Sequence, residues 1–193
     1  MSDSSMISPQ EFADAWGKQR LLLTLELLQD VDIPKGSKDF LVVAGLPLRA
    51  EVQEDLYVVP LQLFSTPQAI KLFLLARYEA TPLRLLASVV DDMQWLGADY
   101  CENPVYYAVE EGTGIIYRIG RGVEAESVRF VNTSIAHFAE FLLCYREFLA
   151  HSRRDQSQYN SQLTLLKQRW RQIDPIALMD LDNYWVMCLF YQF

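Results

Sequence analysis

A chain of 193 residues, 51% hydrophobic and 12% aromatic, is long enough to bury about 70% of its unfolded surface, which excludes a disordered polypeptide and fits one domain. Its 17 Lys and Arg against 25 Asp and Glu leave a formal charge of −8. That sign disfavours partners held through phosphates, whether nucleic acid or an anionic membrane surface.

Ser8-Pro9-Gln10-Glu11 predicts a helix start, with Ser8 as cap, Pro9 at the first helical position and Glu11 completing a capping box. Phe12, Ala15 and Trp16 then share a face, and Gly17 interrupts the helix. Leu21 to Leu28 reads as a further buried helical segment ended by Asp32-Ile33-Pro34. Ser37 is placed to cap a short helix through Phe40 and Val43 that Gly45 closes, with Pro47 unable to continue it. The β formers from Phe40 to Val43 leave a strand as the rival reading.

Leu56 to Phe64 predicts a strand, demoted by Pro60 to an edge or a break. Ala69 to Tyr78 is apolar and fits strand or helix, Arg84 to Val90 is also apolar, and Trp95 to Tyr100 begins another strand. Val105 to Glu110 and Ile115 to Ile119, joined through Gly112-Thr113-Gly114, form the clearest element, an antiparallel hairpin. Gly120-Arg121-Gly122 is read as the next turn and Ser127 to Val131 as a strand.

Asn132, Thr133 and Ser134 offer side-chain oxygens to the free amides of a helix start, and Ile135, Phe138, Ala139, Leu142 and Leu149 follow at helical spacing. His151 to Ser157 is a polar loop, and Leu163, Leu166 and Trp170 mark another helix. Asp174-Pro175 caps a short turn, and Asp182 caps a last, almost wholly apolar helix from Tyr184 to Phe190. Strands in the middle and helices at both ends predict an α+β fold: a mixed, mostly antiparallel sheet with helices packed on it.

Three stretches stand out by their order. They are Phe40-Leu41-Val42-Val43-Ala44-Gly45-Leu46-Pro47, then Tyr106-Tyr107-Ala108-Val109-Glu110-Glu111-Gly112-Thr113-Gly114-Ile115-Ile116-Tyr117, then Val131-Asn132-Thr133-Ser134-Ile135-Ala136-His137-Phe138-Ala139-Glu140-Phe141-Leu142. Together they resemble the SUKH superfamily, most closely its fourth group of bacterial immunity proteins. That family has an "FL…GLP" turn after an N-terminal helix, a "TG" hairpin late in the sheet and a "VN(S/T)S…F" junction opening a helix. The resemblance covers roughly residues 8 to 190. It implies one SUKH-like domain over residues 1–193, with 1–7 flexible and 50–95 a variable or inserted region. It further implies binding and neutralising a toxin protein, not catalysis.

The three cysteines are an odd count, far apart, and lie in apolar or aromatic settings, as reduced core thiols of a cytoplasmic protein do. Met1 to Ser8 lacks the basic start and apolar run of a signal peptide, and Leu21 to Leu28 is too short to span a bilayer.

Catalytic constellations are sparse. His137 shares a helix side with Cys144, but no CxxC, CxxH or HxxxH spacing supplies a four-ligand metal site. His137 is therefore read as surface and Cys144 as core, and His151, beside Arg153 and Arg154, as solvated. Two histidines and no GxSxG give no base set against a nucleophile, and Ser134 is better explained as a cap. Gly112, Gly114, Gly120 and Gly122 lack phosphate-loop spacing. No cofactor is expected.

The acids carry more. Between Val89 and Glu126 lie eight acidic residues (Asp91, Asp92, Asp99, Glu102, Glu110, Glu111, Glu124, Glu126) against Arg118 and Arg121. Residues 1–144 hold 20 acids and 11 bases, whereas 145–193 hold five and six. An acidic face steers an inhibitor towards the basic cleft of a nuclease. The expected partner is thus a cognate toxin, with Asp91, Asp92, Glu102, Glu110 and Glu111 as partner-binding residues. Tyr100, Tyr106 and Tyr107 lie among them as aromatic anchors or as core. Two other readings remain open: an adaptor, as in the Smi/Knr and Syd branches of the superfamily, and a small-molecule enzyme using a buried carboxylate.

Overall fold

The computed structural model describes residues 6–18, 20–47, 49–54, 57–63, 83–89, 105–121, 126–152, 154 and 156–190. Helix α1 (Pro9–Trp16) starts as its residues dictate. Ser8 Oγ accepts from Glu11 N at 3.2 Å, and the Glu11 carboxylate accepts from Ser8 N at 2.9 Å. The pair satisfies two amides that a helix start leaves free, and these bonds to Ser8 hold the Glu11 carboxyl below its ordinary range. Phe12 and Trp16 are buried as expected, but Ala13 joins them and Ala15 is exposed. Gly17 closes the helix at φ 91°, a conformation open to glycine.

The helix expected over Leu21 to Leu28 does not form as such. Arg20–Leu21 is a short strand, β1, paired with Leu46–Pro47, β2. Only one turn, α2 (Leu25–Leu28), is helical. The cause is the tether before it: the Arg20 guanidinium donates to the carbonyls of Gly17 and Ala44. Leu23 and Leu28 are buried, while Leu22 and Leu25 face solvent. Helix α3 (Lys35–Val43) settles the helix-or-strand question at Phe40 to Val43, but Pro34 precedes it and Ser37 is buried inside it rather than capping.

Among the described residues six strands form one sheet in chain order, every pairing antiparallel. They are β3 (Arg49–Glu54), β4 (Tyr57–Leu63), β5 (Leu83–Val89), β6 (Val105–Glu110), β7 (Ile116–Arg121) and β8 (Glu126–Asn132). Pro60 sits opposite Glu51 of β3, and β4 meets β5 only from Leu61 to Leu63. Proline lacks the N–H for a second ladder, and among the described residues the part of β4 through Pro60 pairs with β3 alone. Gly120 and Arg121, read as a turn, are the last residues of β7 and pair with Ser127 and Glu126. The expectations over Ala69 to Tyr78 and Trp95 to Tyr100 lie outside the described residues.

The C-terminal third is helical: α4 (Ile135–Ser152), α5 (Tyr159–Ile173) and α6 (Tyr184–Phe190), with a 3-10 turn at Pro175–Leu178. Helix α4 extends into the expected loop, through His151 and Ser152. It is buried along most of its length because α1, α3, α5 and the sheet all pack against it. Tyr107 leaves the sheet to stack on Phe138 (5.5 Å) and meet Tyr184 edge-on (5.6 Å). Phe141 and Trp170 lie nearly parallel at 4.8 Å, and Trp185 closes on Trp170 at 4.8 Å. Each such ring contributes about 1.5–3 kcal/mol by burial, so this aromatic cluster anchors the three helices. Arg146 ties α4 to α1: its guanidinium lies 4.2 Å from the Trp16 ring and donates to the Trp16 and Ala15 carbonyls.

Candidate functional site

Each of the three stretches singled out in the sequence fastens one part of the chain to another. Gly45, at φ 66°, bonds its N–H to the Phe40 carbonyl at 3.0 Å and turns the chain from α3 into β2, where Leu46 is buried. The hairpin turn closes with Glu110 N to Ile115 O at 2.8 Å and Gly114 N to Glu110 O at 2.9 Å. It is docked on the N-terminal region by Gly112 N to Asp32 O at 2.5 Å. Gly114 has φ 79°, and a Cβ there would lie 2.9 Å from Pro34 Cδ and 3.0 Å from Pro34 Cγ. Glycine is thus required twice, by backbone conformation and by the proline beside it.

The third stretch builds a buried polar knot. Asn132, fully buried at the end of β8, donates from Nδ2 to Asp174 Oδ2 at 3.1 Å and accepts at Oδ1 from Trp185 Nε1 at 2.8 Å. Thr133 N donates to the same Asp174 oxygen at 2.8 Å. Ser134 Oγ accepts from His137 N at 3.1 Å, the expected cap. Of the three residues read as caps, only Ser134 acts as one. Asn132 instead joins β8 to α6 and to the segment after α5, and the main chain of Thr133 binds Asp174. Asp174 also departs from its expected role: its carbonyl accepts from Ala177 N at 3.1 Å, but its carboxylate turns inward to the knot. Asp182 does not cap α6; its N–H donates to Asp180 Oδ1 at 3.0 Å. Nothing local to Asp174 or Trp185 marks these partnerships, which span 42 and 53 residues.

Thr133, His137 and Asp174 have the composition of a hydroxyl–imidazole–carboxylate triad, but not its geometry. Thr133 Oγ1 lies 2.7 Å and Asp174 Oδ2 3.7 Å from the same imidazole nitrogen, Nδ1. A relay needs the nucleophile and the orienting carboxylate on opposite nitrogens. His137 is part-buried rather than on the surface; burial lowers its pKa, against an opposing pull from Asp174. The group is built to hold, not to transfer a proton. Glu140, beside Ile7 N at 3.3 Å, has its carboxyl raised by burial. The Cys144 thiol is pushed up to about 12 by burial, far from a reactive thiolate. Among the described residues no group of three His, Cys, Asp or Glu is placed to hold a metal ion.

Of the five acids expected to bind a partner, Asp91, Asp92 and Glu102 lie outside the described residues. Glu110 and Glu111 come together at the β6–β7 turn, both part-buried, and the Glu110 carboxylate accepts from the Thr113 hydroxyl. Tyr107 is core, held by Phe138 and Tyr184, so it is no surface anchor. Among the described residues no helix is long and apolar enough to cross a membrane.

Comparison with curated proteins and with solved structures gives no match. A family model does match, described as SUKH-4 immunity protein, over residues 7–191. That span runs from the residue before the α1 cap to the residue after α6, and takes in the GLP turn, the TG hairpin and the Asn132 knot. With its motifs accounted for as the joints of one α+β fold and the family model running almost end to end, the chain belongs to the SUKH-4 immunity protein family.

Proposed function

We propose that this protein binds a cognate toxin of a bacterial polymorphic toxin system and neutralises it by stoichiometric protein–protein interaction in the cytoplasm. The observation that carries the reading is membership of an immunity family over residues 7–191. It is supported by what the titratable groups do. The buried carboxylate of Asp174 is engaged by Asn132 and Thr133, His137 meets Thr133 and Asp174 through one nitrogen, and Cys144 is a protonated core thiol. A non-catalytic role accords with such a set. The chain acts as one domain over residues 1–193, with residues 50–95 as its variable region.

The toxin is a nuclease domain in this reading, supported by the charge of −8 and the acids gathered between Val89 and Glu126. Nuclease clefts are basic because they hold phosphates, and an acidic inhibitor associates faster with them. Asp91, Asp92, Glu102, Glu110 and Glu111 are the residues proposed to face the toxin. The test is titration calorimetry against the C-terminal domain encoded by the adjacent gene. A one-to-one complex is expected, weakened by charge reversal at Asp91, Asp92, Glu110 and Glu111 and with a flatter salt dependence. Unchanged affinity in the reversed variant removes this surface assignment. No complex with the parent protein moves the reading to the adaptor branch of the superfamily.

A further inference from the structure

From the Pro175–Leu178 turn to the start of α6 the chain displays three large apolar side chains to solvent: Ile176 (51% exposed), Met179 (79%) and Leu181 (68%). Apolar side chains scattered singly over a surface are ordinary, but clustered ones mark interaction sites. These three fall within six residues of sequence, interleaved with the exposed acids Asp180 and Asp182.

The segment is held in shape from within and from below. Asn183 Nδ2 donates to the Ile176 carbonyl at 3.0 Å, and Asn183 N to the Asp180 carbonyl at 3.2 Å. Asp182 N donates to Asp180 Oδ1 at 3.0 Å, and Arg129 of β8 reaches the Asp182 carbonyl at 3.4 Å. Its base is the core itself: Ala177 and Trp185 are fully buried, and Asp174 is locked into the Asn132 knot. A contact surface already fixed in shape loses little freedom on binding. The chain therefore exposes these apolar groups on a segment held by its own hydrogen bonds and by Arg129.

The charges select the occupant. Among the described residues no cation pairs with the Asp180 or Asp182 carboxylate, and Arg129 meets the Asp182 main chain instead. Acids beside exposed apolar groups repel an anionic membrane and a nucleic acid. They complement a protein pocket that is apolar at its floor and lined with Lys or Arg at its rim.

We infer that the Ile176–Asp182 segment is a docking element for a protein partner that offers an apolar pocket with a basic rim. The inference rests on the toxin-binding reading above and names a contact on this chain that the acids of the sheet half do not include.

The test uses full-length protein, with the C-terminal domain encoded by the adjacent gene as the probe in calorimetry. The variants are a Met179→Ser/Leu181→Ser double substitution and Asp182→Lys. Both apolar residues are mostly exposed, so an unfolding midpoint matching the parent's is expected. The double variant is expected to bind about tenfold to a hundredfold more weakly, and Asp182→Lys to slow association and flatten its salt dependence. Parent binding with unchanged affinity and association rate in both variants overturns the docking element and leaves the toxin reading standing. No binding by the parent overturns both. A parent that sediments as a dimer and becomes a monomer on the double substitution assigns the surface to a second copy of this chain, which also overturns the inference.

Discussion

Replacing Asn132 by leucine probes the knot that joins β8 to α6 and to the segment after α5. The side chains are close in size, so the change is chiefly one of hydrogen bonding. Two bonds disappear in a site sealed from water: Asn132 Nδ2 to Asp174 Oδ2 at 3.1 Å and Trp185 Nε1 to Asn132 Oδ1 at 2.8 Å. Stranding the buried indole N–H costs about 1–3 kcal/mol, and losing one of the donors to a buried carboxylate costs about 1.5–3 kcal/mol. The sum, about 2.5–6 kcal/mol, is a large fraction of the roughly 5–15 kcal/mol that holds a domain folded. At this chain length each kcal/mol moves the melting temperature by about 2–4 °C, so Asn132→Leu should melt about 5–24 °C below the parent. Thermal and urea unfolding followed by circular dichroism measure it. Trp185→Phe and the double substitution complete a cycle in which a coupling of about 1 kcal/mol or more is expected. A stability within about 0.5 kcal/mol of the parent for Asn132→Leu, or strict additivity in the cycle, refutes the knot as described.

Three further outcomes follow from the same structure. Gly114→Ala should destabilise more than Gly112→Ala, about 2–4 against about 1–2 kcal/mol, because both have positive φ but only Gly114 meets Pro34; equal losses in urea unfolding would remove the Pro34 contact from the account. Burial lowers the folded-state pKa of His137 below its ordinary value. The unfolded chain therefore binds a proton first on acidification, and stability should fall as the pH drops through about 6.5 towards the folded pKa. His137→Gln should lose that part of the slope, read by urea unfolding over the window. Arg146→Ala should loosen α1 from α4, costing about 1–3 kcal/mol and speeding amide exchange at Phe12 and Trp16 more than at α5 residues.

Much of the fold was legible because local chemistry decided it. The Ser8 box, the Gly112–Gly114 hairpin and the spacing of Ile135, Phe138, Ala139 and Leu142 each state their structure within a few residues. Failures came where a distant partner overrode a local pattern. Leu21 to Leu28 has helical composition, but the reach of Arg20 to Ala44, 24 residues away, draws its start into a strand. Asn132, Asp174 and Asp182 all carry capping side chains, yet only Ser134 beside them caps; Asn132 and Asp174 find each other through the tertiary fold, and Asp182 is held to Asp180. Of the residues proposed to face a toxin, Glu110 and Glu111 were singled out by charge, and the structure puts them together at the β6–β7 turn. The apolar display at Ile176, Met179 and Leu181 was invisible, because periodicity cannot tell an exposed apolar residue from a core one.

The most direct test of the account is rescue in a sensitive cell. The C-terminal domain encoded by the adjacent gene is expressed with and without this protein, and survival is scored alongside co-purification. The expected result is death with the domain alone, survival with both, and a complex of fixed stoichiometry recovered from the surviving cells. Death unrelieved by this protein, with no complex recovered, would contradict it.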